Sequence, residues 1–136
     1  MSSQGKSEEG ISIVPGMVFL GPMDGVDHKK YYIIAGVSGD KCCVCSVIIN
    51  SKINQFILNR QHLLDCQVKL TPQKNSFLDH DSYANCAQPW MISSQKMEVE
   101  QFQYISMILE DDLDNIIETV KYSGTLTEEE MDLYFL

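Results

Sequence analysis

The residues best suited to chemistry gather in "NSFLDHDSYANCAQPW", Asn75 to Trp90, where Asp79, His80, Asp81, Ser82, Tyr83 and Cys86 fall within a few positions. A carboxylate, an imidazole and a hydroxyl so close together are the groups of a nucleophile, its base and the residue that orients the base. Alternation along a strand separates them: His80 and Ser82 face one way, and Asp79 and Asp81 the other. His80 with Ser82 is therefore the pair to test. The aspartates have a simpler use, capping a turn through their own backbone.

A second set is Cys42 and Cys45, at the C-x-x-C spacing of zinc sites. They lie in "KCCVCSVII", which reads as a strand, and side chains three apart on a strand point to opposite faces. Cys43 and Cys45 share a face, but no second cysteine pair or histidine pair follows. The five cysteines, Cys42, Cys43, Cys45, Cys66 and Cys86, are expected to be buried, inert thiols. No metal and no other cofactor is expected. His28 and His62 stand alone, and Arg60 is the only arginine.

The elements that must position these groups come from a chain of 136 residues, long enough for one domain with its own core. The first ten residues, "MSSQGKSEEG", are polar and lack the apolar centre of a signal peptide, so residues 1–10 are expected to be a disordered leader. No apolar run approaches a membrane span, and an odd number of cysteines is not a secreted disulfide framework. A cytoplasmic protein is expected. The net charge of −9, from 19 acidic and 10 basic residues, sets a field that repels nucleic acid. RNA is disfavoured as a partner on that ground.

"KKYYIIAGV" and "KCCVCSVII", joined by a short turn at "SGD", read as a hairpin whose strands are apolar on both faces and need cover on both sides. "QFILNRQHLLDCQVKL" could hold a short helix, a strand or both; a strand is favoured at 66–70, ended by Thr71-Pro72. Another strand is expected at 81–87. Leu109, Leu113, Ile116, Ile117 and Val120 make the apolar stripe of a helix, with Glu110, Asp111 and Asp112 at its start and Ser123-Gly124 as its stop. A short helix near 98–104 is plausible on the same pattern. Thr127 with Glu130 forms a capping box that starts a last helix. The fold class expected is α+β, a small β-barrel of about five to six mostly antiparallel strands at 11–93, with a helical part packed on it at 94–136.

"PGMVFLGP", "KKYYIIAGV" and "CVCSVIINS" running into a polar turn resemble, in that order, the MazF/PemK-like family of small SH3-like barrels, which includes toxin ribonucleases. "SFLDHDSYANC" is similar to the "HPFI-x-H-x-SYV" pattern of toxin-like barrels in that group. The resemblance spans about 14–90, and "YSGTLTEEEM" is similar to the short helices that end such domains. What it implies is metal-independent cleavage of single-stranded RNA, homodimerisation and an antitoxin-like or other protein partner. Such cleavage needs a base for the 2′-hydroxyl, a cation for the phosphorane and an acid for the leaving oxygen. The family's arginine before its second strand falls on Lys29 or Lys30, beside His28, and its threonine or serine after the third strand on Asn50 or Ser51. Lys29, Lys30, His28 and Asn50 are thus the candidates for holding RNA or another ligand, and Arg60, Ser51, His80 and Ser82 the candidates for catalysis. Lysine lacks the bidentate fork that suits a phosphorane, so a non-catalytic binding or regulatory module is expected ahead of an endoribonuclease. The acidic, partly apolar ending "EEEMDLYFL" is a candidate to lie over the RNA groove in place of an antitoxin peptide.

Overall fold

β-Branched and aromatic residues dominate the runs that become strands, and they alternate between two interiors. A computed structural model describes residues 12–136; the expected leader at 1–10 lies outside them. Seven strands form one antiparallel sheet: β1 (Met17–Gly21), β2 (Lys30–Val37), β3 (Cys43–Asn50), β4 (Gln67–Leu70), β5 (Ser82–Asn85), β6 (Trp90–Ser93) and β7 (Gln103–Met107). Their order is β4-β5-β3-β2-β1-β7, with β6 also on β3. β5 takes the end of β3 at Ile49 and Asn50, and β6 takes its start from Cys43 to Ser46. Strand pairing does not close the sheet, because its two ends, β4 and β7, do not pair with each other. The α+β class holds, while the expected five to six strands become seven and no closed barrel forms.

The expectation of cover on both faces is met. Val18, Ile33, Ala35, Val47 and Ile49 point into one core with Val68, Leu70, Ala84, Ile116 and Val120. Their neighbours Phe19, Ile34 and Val44 point the other way, against Met97, Ile92 and Phe102. This is the two-residue period of a strand buried on both sides. The hairpin turn is organised by Asp40, whose carboxylate accepts from the Ser38 hydroxyl (2.7 Å) and the Cys42 amide (2.9 Å). Those bonds hold the Asp40 carboxyl below its ordinary pKa, the Ser38 bond contributing most. Lys41, not Gly39, takes the left-handed conformation there, at φ 66°.

The blurred segment resolves into two single-turn helices and a strand: α1 (Gln55–Leu58), capped by the Asn54 side chain, α2 (Gln61–Leu64), and β4. The short helix expected at 98–104 lies earlier, as α3 (Ser94–Val99), because Ser93 accepts from the Lys96 amide as its N-cap. Gln101 turns the chain at φ 57°, and 103–107 becomes β7, returning to pair with β1. The C-terminal part is thus not purely helical. α4 (Glu110–Ser123) carries the expected stripe and stops at Gly124, φ 72°. α5 (Glu128–Phe135) has the full capping box between Thr127 and Glu130. No helix among the described residues is long and apolar enough to cross a membrane.

Candidate functional site

Antiparallel pairing decides where the candidate residues meet. β2 and β5 both run against β3, so their first residues must lie beside the last residues of β3. Lys30 opens β2, Ser82 opens β5 and Asn50 closes β3. A cavity of about 220 Å³ sits at this end of the sheet. His28, Lys29, Lys30, Ser51, His80 and Ser82 line its polar part, with Asp79; Tyr31, Ile49, Phe77 and Leu78 line the rest. Residues separated by more than fifty positions are gathered here by strand register alone.

The hydrogen bonds show what each group is free to do. Lys30 Nζ donates to Asn50 Oδ1 at 2.8 Å, so Asn50 positions the ammonium, while Asn50 itself is not among the lining residues. An ammonium has three donors, and two have no partner among the described residues. His28 Nδ1 lies 3.1 Å from the Asp27 carboxylate. That hydrogen bond, with the imidazole's charge, holds the Asp27 carboxyl below its usual range.

His80 and Ser82 do touch, but not as a base and a nucleophile. His80 Nδ1 lies 3.1 Å from the Asp81 carbonyl oxygen and 3.4 Å from Ser82 Oγ. A carbonyl only accepts, so the shorter contact requires the proton on Nδ1. The Ser82 hydroxyl donates instead to the His80 carbonyl at 3.1 Å, and the residue is 2 % exposed. Ser82 therefore locks the entry to β5, and His80 keeps Nε2 for other work. Asp81 pairs with Lys69 at 3.3 Å rather than with His80. No triad is assembled.

Arg60 is not at the cavity. Its guanidinium stacks on the Phe56 ring, 3.7 Å from the centroid, and donates to the Phe56 carbonyl at 3.0 Å. It sits between the single-turn helices α1 and α2, within the β3–β4 connection. His62 is occupied too: its Nε2 lies 2.9 Å from the Ser123 carbonyl, at the end of α4.

The acidic ending is also elsewhere. α5 packs where β2 ends: the Tyr134 carbonyl and Phe135 ring lie over Gly36, whereas the cavity lies where β2 begins. None of the α5 residues lines the cavity, so the expected cover of the groove by "EEEMDLYFL" is not made. Tyr134 is buried beside Cys43 and Cys45, and burial pushes its hydroxyl up to about 12.

The cysteines split in two. Cys45, Cys66 and Cys86 are buried and free, and burial pushes the Cys45 thiol up to about 12. Cys42 is exposed in the turn before β3, which corrects its placement in the strand; the strand starts at Cys43, two residues later than the "SGD" reading implies. Among the described residues no group of three or more His, Cys, Asp and Glu side chains is placed to hold a metal.

Tyr31 and Phe77 were not singled out by the sequence. Their rings meet edge to face at 5.1 Å beside the lysines. Phe77 lies inside the suspect stretch, but only the fold carries Tyr31 to it. A larger cavity, about 420 Å³, lies between α3 and β1 and is lined mainly by Ile13, Phe19, Met97 and Phe102. It offers apolar surface and, in Glu98, a single charge. No protein-family model and no curated protein matches the chain.

Proposed function

We propose that this is a cytoplasmic, MazF/PemK-like protein of the toxin–antitoxin kind, built on an SH3-like barrel plan, that works as a binding or regulatory module without catalysis. The observation that carries this reading is the cavity shared by Lys29, Lys30 and Ser51. These are the positions onto which the resemblance maps the toxins' cleavage groups, and lysine stands where the toxins have arginine. Arg60 cannot substitute for it without leaving its stack on Phe56. A lysine point charge holds an anion well but lacks the fork for a phosphorane. The Ser82 hydroxyl is committed to the backbone, which removes the one close nucleophile–base pair. The barrel plan is supported by the way β5 and β6 pair with different ends of β3 on the same edge. Free thiols suit a reducing compartment. Pairing of two copies, as in the toxins, is supported by the outer edge of β7, which no other strand among the described residues covers, and by the exposed Tyr104 and Met107 on it.

A metal-independent endoribonuclease acting on single-stranded RNA is the second reading. It is favoured by the presence of two imidazoles, His28 and His80, in the same cavity as two lysines, since one could serve as base and the other as acid. Inducible expression in bacteria separates the two. Normal growth with intact RNA, in the absence of any antitoxin, is the outcome expected of the module. Growth arrest with cleaved RNA, abolished by Lys30→Ala or Ser51→Ala, would sink it in favour of the enzyme.

A further inference from the structure

Taking the cavity as the module's binding site, we propose that its ligand is one small aromatic phosphate, of the mononucleotide class, and that His28 and His80 tune its affinity to pH. The lining is divided by chemistry. It includes the cations and imidazoles of Lys29, Lys30, His28 and His80 together with the aromatic pair Tyr31 and Phe77. An anion alone would leave the rings unused, and an apolar ligand would strand the ammonium groups. A ring carrying a phosphate satisfies both, since aromatic side chains stack on bases and lysines neutralise phosphate oxygens. Size selects further. The cavity's 220 Å³ lies below the roughly 300–1,000 Å³ typical of small-molecule sites, which favours one small ligand over an extended chain.

Charge then makes the site sensitive to pH. With both imidazoles neutral, two ammonium groups face one carboxylate, Asp79, across the lining. The other charged groups nearby are accounted for: Asp27 is bonded to His28, Asp81 is paired with Lys69, and Lys52 follows Ser51. Histidine gains its proton near pH 6.5, so mild acidification adds positive charge where the oxyanion binds.

Calorimetry on the full chain tests this with adenosine 5′-monophosphate and with sulfate, whose charge does not change over the range used. Sulfate should bind roughly tenfold more tightly at about pH 6 than at about pH 8, each imidazolium contributing a factor of a few; the mononucleotide should gain less, because its phosphate takes up a proton near pH 6. The mononucleotide should bind more tightly than sulfate. A His28→Gln/His80→Gln variant, altered at two exposed positions, should lose that pH response for sulfate, while Lys29→Met should weaken binding at both pH values. Circular dichroism checks that each variant is folded. Failure of both probes to bind, equal affinity at the two pH values, or an unchanged response in the histidine variant each overturns the proposal. A short RNA without a terminal phosphate that binds more tightly than the mononucleotide overturns the ligand class but leaves the module standing. Cleavage of that RNA overturns the module itself.

Discussion

Replacing Gly36 with alanine should undock α5, and the sign of its effect should depend on whether α5 is present. A Cβ at this position would lie 2.7 Å from the Tyr134 carbonyl oxygen, 2.9 Å from a Phe135 ring carbon and 3.0 Å from the Tyr134 Cβ. Two of these three atoms belong to the helix backbone or its first side-chain atom, so no rotamer change relieves them. α5 must move as a body. Small-to-large changes in packed sites cost about 1–3 kcal/mol. The upper limit is set by what α5 gains from docking, chiefly burial of Tyr134 and half-burial of Phe135, because beyond that the helix simply detaches. Against this, alanine in place of glycine at a permitted backbone angle gains about 0.4–1 kcal/mol from the unfolded state. Gly36 sits in a strand and does not have a positive φ. Gly36→Ala should therefore lower urea stability by about 1–2 kcal/mol in the whole chain. In a chain ending at Leu126 the same change should be neutral or slightly stabilising. Hydrogen exchange should show faster exchange in α5 and at Met131, whose amide bonds to Thr127, with β2 and β3 little changed. Equal destabilisation with and without α5, or no loss of α5 protection in the whole chain, would refute the steric account.

Three further outcomes can be checked with simpler measurements. His62→Ala removes the bond to the Ser123 carbonyl where α4 ends, and thermal denaturation should show a loss of about 0.5–1.5 kcal/mol. At the other end of α4, Lys74 pairs with Asp111 (2.7 Å) and Asp112 (3.2 Å), and its hydrogen bond holds the Asp111 carboxyl below its ordinary 3.8. A depressed carboxyl stabilises the fold above its unfolded pKa and loses that contribution as pH falls through the lower folded value. Lys74→Met should thus flatten the acid limb of stability below pH 3.8, as followed by tryptophan fluorescence; an unchanged limb would count against the pairing. Thiol labelling of the native chain near pH 8 should modify Cys42 first, because it is exposed, while Cys45, Cys66 and Cys86 react only on unfolding. Early labelling of Cys86 would contradict its burial.

Local chemistry was legible in the sequence wherever one element carries its own instructions. The stripe from Leu109 to Val120, the stop at Gly124 and the Thr127–Glu130 capping box all formed where the pattern puts them, because helix caps and periodicity act within a few residues. The doubly apolar strands likewise required two covered faces. Misplacement began where local signals compete. A short helix is expected near 98–104, but Ser93 starts the helix early and β1 claims Gln103 to Met107 as a strand partner. Tertiary pairing outweighs weak propensity there.

The cavity belongs to the same distinction. Sequence alone determined which groups exist to do chemistry: lysines but no arginine at the start of β2, a serine after β3, and a histidine and a serine at the start of β5. Only the tertiary structure decided that His28, Lys29, Lys30, Ser51 and His80 meet, that Tyr31 and Phe77 join them, and that Arg60 and α5 do not. The physical reason is register. Two strands running against β3 bring their beginnings to its end, and no local pattern of residues records which strands will pair.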